Sequence, residues 1–217
     1  MLRRLLRLIF PPKCVLCGKV LEKNETDFCG HCRKNAPEFQ KSDFRLSFVA
    51  GWTSVWYYKD TVRSSILRYK FGRRRSYAPA YGRVLAMKLA KEELTDFDIL
   101  TFVPIAPLRR LSRGYDQVEL LARQVSGELG LPACRTLRKI RNTPPQSGIS
   151  DAARRRANVL GAYRAVDPDF LQGKRILLLD DIITTGATAS ECARVLLTAG
   201  AKEVYCAALA ASNHKSK

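Results

Sequence analysis

The apolar positions of this chain fall into a few distinct patterns. Ile176-Leu177-Leu178-Leu179 is an unbroken aliphatic run, as in a strand buried on both faces of a parallel sheet. Two carboxylates, Asp180 and Asp181, stand where that strand is expected to end. A turn rich in Thr and Gly then leads into a helix from Ala189 to Ala199. Ile99 to Val103 and Glu203 to Ala210 read as two more strands. Phe48 to Tyr58 is strand-rich, because Trp52, Val55, Trp56, Tyr57 and Tyr58 favour extended backbone. Helices are expected over Val62 to Phe71 (closed by Gly72), over Ala78 to Glu93 and over Val118 to Leu129. Together these elements predict an α/β fold: an open, mainly parallel sheet with flanking helices.

Two stretches lack such order. Ala36 to Ser47 reads as a connector. Residues 138–158 hold Lys139, Arg141, Pro144, Pro145 and Arg154-Arg155-Arg156 with little periodicity. They read as a long loop, either a lid that keeps water from a reactive centre or a grip on a nucleic-acid backbone. Near the start, Leu2, Leu5, Leu6 and Ile9 line one side of a short basic helix that Pro11-Pro12 stops. Arg7 interrupts this apolar run, which is too short for a secretion signal, and no transmembrane span appears. The expectation is a cytoplasmic protein with a small module over residues 1–40 and a main domain over 41–217.

Charge changes this picture of an ordinary small enzyme. The formal net charge is +18, and it is unevenly placed. Residues 1–40, 41–100 and 101–164 carry excesses of +4, +6 and +8, whereas residues 165–217 are neutral. The neutral part contains the two carboxylates; the basic parts contain Arg73, Arg74, Arg75, Arg154, Arg155 and Arg156. Such asymmetry points to a polyanionic partner, of which single-stranded nucleic acid is one, or to solvated arginine-rich surface. Trp52, Trp56, Tyr57, Tyr58, Tyr69 and Phe71 beside Arg73–Arg75 are either core aromatics or a platform on which bases stack.

The cysteines divide into two kinds. Cys14, Cys17, Cys29 and Cys32 form two C-x2-C pairs eleven residues apart. Each pair can make a knuckle that turns two sulfurs toward one ion, and two knuckles complete a closed, structural four-thiolate Zn²⁺ site. His31 is an alternative ligand. Disulfides are disfavoured without a secretion signal. Zinc would supply most of the folding free energy of so small a module. Cys134, Cys192 and Cys206 lie singly in apolar stretches and read as core thiols.

The chemistry concentrates after the aliphatic strand. Thr184-Thr185-Gly186-Ala187-Thr188 opens a helix, where backbone N–H groups and the helix dipole favour a phosphate. Gly186 lets the backbone approach closely, and the threonines add hydroxyl donors. Asp180 and Asp181 can accept from vicinal ribose hydroxyls or hold Mg²⁺ through water. The commoner phosphate loops, G-x-x-x-x-G-K-[ST] and G-x-G-x-x-G, are absent. A second candidate loop follows Val103: Arg109, Arg110 and Arg113 lie between a strand and a helix, and guanidinium forks suit a diphosphate. Ligand loops of open α/β sheets lie at the carboxyl ends of the strands, so both loops should share one edge.

The stretch from Ile176 to Thr188 resembles the loop by which type I phosphoribosyltransferases bind 5-phosphoribosyl 1-diphosphate (PRPP). The four-cysteine knuckle, VPIAPLRRLSRGYDQ, the R-x-T-x-x-Q segment from Arg141 to Gln146, Arg155-Arg156-Ala157-Asn158-Val159 and LLLDDIITTGAT occur together and in order. This set resembles the ComF family of competence-associated, phosphoribosyltransferase-like proteins. The resemblance implies a type I phosphoribosyltransferase-like domain behind a zinc module, PRPP and Mg²⁺ as ligands, and a role in DNA uptake with competence-machinery proteins as possible partners. It also implies roles. Asp180 and Asp181 would hold the ribose, Thr184 to Thr188 the 5′-phosphate, and Arg109, Arg110 or Arg113 the diphosphate. A transferase of nucleotide metabolism is the alternative. The family usually carries Asn after the aromatic residue of its Arg-Gly motif; this chain has Asp116 after Tyr115.

Overall fold

A computed structural model describes residues 10–40, 43–143 and 152–212, with the side chains of residues 152 and 153 left out. The basic helix expected over residues 2–9, and Pro144 to Asp151 within the expected lid, lie outside the described residues.

Four parallel strands form the central sheet: β1 (Gly51–Tyr57), β2 (Ile99–Phe102), β5 (Arg175–Ile183) and β6 (Glu203–Ala211). They are ordered β1-β6-β5-β2. The two inner strands are the aliphatic run and an alanine-rich one, and both are almost wholly buried. Inner strands of a parallel sheet are covered on both faces, which is why they read as continuous apolar runs. Backbone at Pro37–Phe39 pairs with the free edge of β1, and Ala133 bridges to the edge of β2.

Side chains alternate between the two faces of the sheet, and each face has its own core. Leu177 and Leu179 pack with α2 (Asp60–Phe71), α3 (Ala78–Lys91) and α5 (Gln117–Leu129), in a cluster that includes Ile66, Tyr81 and Leu121. Ile176 and Leu178 pack with α8 (Ala187–Thr198) and with an antiparallel hairpin of β3 (Leu137–Lys139) and β4 (Tyr163–Ala165). Gly82 lies where α3 meets α5; a Cβ there would sit 2.3 Å from Gln124 Cβ, so only glycine permits this approach.

The cysteine module, which includes α1 (Gly30–Asn35), is not a separate bead. Cys14, Val15, Leu16, Cys29 and Cys32 belong to the same core as Ile66 and Tyr81. Ser65 donates to the Val15 carbonyl and pairs with the Tyr81 hydroxyl, while Arg68 donates to the Leu16 carbonyl. Arg83 grips the Asp27 carboxylate with a two-nitrogen fork at 2.7–2.9 Å. The ring of Phe28 stands edge-on to Trp56, 5.8 Å between centroids.

Three expectations are corrected. The strand does not end at the carboxylates: β5 runs on to Ile183, so Asp180 and Asp181 are strand residues. The segment after Val103 is not only a loop, since α4 (Pro107–Arg113) occupies most of it, with proline at its first position and Gly114 in the left-handed conformation as its stop. The stretch read as a loop over 138–158 contains the end of β3 and a helix, α6 (Ala152–Val159). Three consecutive arginines interrupt α6, and its apolar residues are three alanines and Val159, so no large apolar side chains recur at helical spacing. Before β5 comes only a short α7 (Pro168–Leu171).

Candidate functional site

The carboxyl ends of β2 and β5 lie side by side and open into one cavity of about 830 Å³. Arg109 and Arg113 of α4 line it together with Asp180, Asp181, Thr184, Gly186 and Thr188. The two loops therefore share one edge, as their strand positions require.

Because β5 continues through the acidic pair, adjacent residues point to opposite faces of the sheet. Asp181 turns to the α2/α5 side. Its Oδ1 stands 2.9 Å from Lys70 Nζ, and its Oδ2 accepts from Gln117 Nε2 at 2.8 Å. Asp180 sits nearer the hairpin and α8, and its Oδ1 accepts from the Asp181 backbone N–H at 2.8 Å. Burial, and then the neighbouring Asp181 charge, push the Asp180 carboxyl up to about 8, against the pull of Lys70. The two carboxylates thus differ: one is ion-paired, the other is held back from ionising.

The turn after β5 is shaped for close approach. Gly186 has φ +69° and caps α8; a Cβ there would lie 2.0 Å from Leu46 Cδ2. Only glycine tolerates that conformation beneath that side chain. Ala187 and Thr188 form the first turn of α8. Thr184, Gly186, Ala187 and Thr188 line the cavity, whereas Thr185 is placed behind it. Its Oγ1 is buried with no hydrogen-bond partner among the described residues.

The basic residues separate. Arg109 reaches across the cavity to the Thr143 carbonyl at 2.7 Å, joining α4 to the irregular segment that follows β3. Arg113 donates to Gln117 Oε1 at 2.8 Å and lies over the Phe71 ring. Burial pulls the Arg113 and Lys139 side chains down from their ordinary values, and Arg109 lowers both further. Arg110 instead faces Glu119, which also binds Arg123 and Arg135. Arg155 lines the cavity, while Arg154 and Arg156 face solvent. Arg73, Arg74 and Arg75 are exposed just beyond α2; Arg75 donates to the Gly114 carbonyl and lies over the Tyr115 ring.

Lys70, Gln117 and Lys139 complete the cavity without having stood out as site residues in the sequence. Gln117 closes the VPIAPLRRLSRGYDQ segment and Lys139 lies in the stretch read as a loop over 138–158, whereas Lys70 carries no local signal beyond its place at the end of a helix. Asp116 does not face the cavity. It caps α5, with Oδ1 accepting from the Val118 and Glu119 N–H groups and Oδ2 from that of Ile105.

The four module cysteines place their sulfurs within 4.8 Å of one another, with Cys17 and Cys29 Sγ 3.7 Å apart. Tetrahedral zinc with bonds of about 2.3 Å needs sulfurs about 3.8 Å apart, so the set fits structural Zn²⁺. Burial raises the Cys14 thiol, but hydrogen bonds from the backbone of Cys17, Cys29 and Leu16 and from the Cys17 side chain together bring it down to about 7. His31 bonds Asn35 and is not part of the sulfur cluster. Cys192 and Cys206 are buried core thiols; Cys134 is half-buried.

Comparison with known proteins follows these two features. Residues 83–217 match the model of the phosphoribosyl transferase domain, and residues 5–42 match that of the double zinc ribbon domain. Competence protein F of Haemophilus influenzae is 30% identical over 89% of this chain and 82% of its own length. The DNA utilization protein YhgH of Escherichia coli O157:H7 is 31% identical over the same shares. The chain belongs to the ComF family. Competence protein ComFC of Streptococcus pneumoniae is a further relative, 27% identical over 88% of the chain and 84% of its own. Among solved structures, a glutamine PRPP amidotransferase from B. subtilis, complexed with ADP and GMP, aligns at 25% identity with a TM-score of 0.44. That alignment covers 64% of the ComF chain and 30% of the amidotransferase. Among the described residues, no helix is long and apolar enough to cross a membrane.

Proposed function

We propose that this ComF protein binds PRPP with Mg²⁺ in the cavity at the ends of β2 and β5, and that it acts with single-stranded DNA in DNA uptake. The observation that carries the reading is the cavity's division of charge. Asp180 and Asp181 stand on β5 just before a glycine-opened helix start, and Arg109, Arg113 and Lys139 line the same cavity with no salt bridge of their own among the described residues, only the more distant charges of Asp181 and Asp180 acting on Arg113 and Lys139. A ribose that bears a phosphate at one end and a diphosphate at the other matches that division. Its hydroxyls face Asp180 and Asp181, its 5′-phosphate the Thr184–Thr188 turn, and its diphosphate Arg109 and Arg113. The buried, unpartnered Thr185 Oγ1 is a donor that loop adjustment around the phosphate would satisfy.

Mg²⁺, held through water by the carboxylates, would supply charge neutralisation of the diphosphate. In transfer, the bond between the anomeric carbon and the diphosphate oxygen breaks as an acceptor atom bonds to the same carbon. Arg109 and Arg113 take up the charge that collects on the departing group. The rest of the catalysis is positioning, and no protein nucleophile is required.

DNA handling is supported by the names of the relatives and by the +18 charge, whose exposed members include Arg73, Arg74, Arg154 and Arg156. Partners in the competence machinery accord with the same names. A second reading is transfer of ribose 5-phosphate to a small acceptor in nucleotide metabolism, favoured by the completeness of the carboxylate pair and glycine turn. Calorimetric titration with PRPP and Mg²⁺, with and without single-stranded DNA, separates the two. Binding that DNA alters supports the coupled role; binding indifferent to DNA supports the small-acceptor transferase. A folded Asp180→Asn, Asp181→Asn double variant that binds PRPP normally removes the site assignment.

A further inference from the structure

Two exposed apolar residues line the cavity and have no role in the PRPP pose proposed above. Phe71, the last residue of α2, lines it and is 66% exposed; Leu108, on α4, lines it and is 65% exposed. Arg113 covers one face of the Phe71 ring at 4.7 Å from the centroid. That arginine is not loose: it donates to Gln117, which donates to Asp181. The ring is therefore held in register with the carboxylates by two hydrogen bonds and a cation–π contact.

Among the other aromatics of this region only Tyr58 also lines the cavity, and it is half-buried. Trp56 and Tyr69 are buried in the core, and Trp52 donates its indole N–H to the Phe44 carbonyl while it packs on Phe39 and Phe44. Phe71 alone of these rings combines strong exposure with a place in the cavity. Immediately past it, Arg73 and Arg74 face solvent. A flat uncharged ring joined to phosphates fits this arrangement. A protein partner would need a broader apolar area than one phenyl and the two exposed leucines of α4, Leu108 and Leu111, provide.

We infer that Phe71, backed by Arg113 and flanked by Leu108, is the stacking site for an unpaired nucleobase of a single strand whose phosphates lie along Arg73 and Arg74. Stacking reads every base alike, because each presents a π face, so the site is tolerant of sequence. The inference deepens the PRPP reading, since the stacked base then stands beside the ribose position.

The test is fluorescence anisotropy with a labelled oligothymidylate and a base-free phosphodiester of equal length. Wild type is compared with Phe71→Ala, Phe71→Trp and the Arg73→Gln, Arg74→Gln pair, and PRPP affinity is measured on each by calorimetry. Wild type should prefer the strand with bases. Phe71→Ala should lose roughly tenfold on that strand and nothing on the base-free one, and Phe71→Trp should restore the preference. The arginine pair should weaken both strands alike and flatten the salt dependence. Equal affinity of wild type for the two strands, no binding to either, or indifference to Phe71→Ala overturns the inference. So does thymidine monophosphate binding as tightly as the strand. The strand assay and the PRPP titration fail independently, so loss of one reading is distinguishable from loss of the other.

Discussion

Lys70 Nζ stands 2.9 Å from Asp181 Oδ1, with only 18% and 7% of the two side chains exposed. The pair joins the end of α2 to the centre of the sheet, in a place where either charge alone is costly. Removal of one partner from a buried pair leaves the other desolvated and unpaired, at about 3 kcal/mol or more. Lys70→Met should therefore lower the melting temperature clearly. The Lys70→Met, Asp181→Asn double variant should regain most of the loss, because no lone charge remains. Additive losses in a double-mutant cycle of chemical denaturation would show that the two residues do not interact.

Asp180 offers a pH test with a definite sign. Its carboxyl is raised in the folded chain to about 8, above the ordinary 3.8, by burial and by Asp181. The folded state thus holds a proton that the unfolded state has released. Stability from this group is full below the unfolded value and falls as pH rises through the folded one. Asp180→Asn cannot ionise, so its stability advantage over wild type should grow from pH 6 to pH 8 and then level off. Urea unfolding at a series of pH values reads this directly, and a constant difference across that range refutes it.

Asp116 stands where the family usually has Asn, and its role needs an acceptor rather than an amide. Oδ1 receives two N–H groups of the first turn of α5, and Oδ2 receives that of Ile105. Asn keeps the Oδ1 cap, loses the tie to Ile105, and removes a carboxylate whose ionisation burial opposes. Asp116→Asn should thus change stability by less than about 1 kcal/mol, whereas Asp116→Ala strips the cap and should cost about 2 kcal/mol. Equal losses from the two substitutions would mean that the capping bonds contribute little.

These cases mark what the sequence discloses. The aliphatic run of β5, the carboxylate pair, the glycine turn and the cysteine knuckles are local signals, and each carries its chemistry within a dozen residues. The helices over 60–71, 78–91, 117–129 and 187–198 lie within two residues of the boundaries that periodicity gives. Lys70 is different: it meets Asp181 only because α2 packs across the sheet, a separation of over one hundred residues that no spacing encodes. Helix α6 escapes notice because its arginines interrupt it and no large apolar side chains recur at helical spacing. The alternation that sends Asp180 and Asp181 to opposite faces depends on β5 outrunning its aliphatic stretch, and Ile182-Ile183 after the acids is the trace of that extension.

The zinc module makes the last prediction, and its interest lies in cooperativity. Val15 and Leu16 share a core with Ile66 and Tyr81, and their carbonyls accept from Ser65 and Arg68 of α2. The same helix ends in Lys70 and Phe71 at the cavity. Loss of the metal should therefore not melt a detached knuckle and leave the rest untouched. Chelation, or Cys14→Ser, should lower the midpoint of a single unfolding transition and also shift tryptophan emission, because Trp56 packs edge-on against Phe28 of the module. Structural zinc contributes directly to folding free energy, so the shift should be large, of several degrees or more. Calorimetry that resolves two independent transitions, with the higher one unmoved by chelation, would show that the module is an appendage and that α2 does not transmit its state.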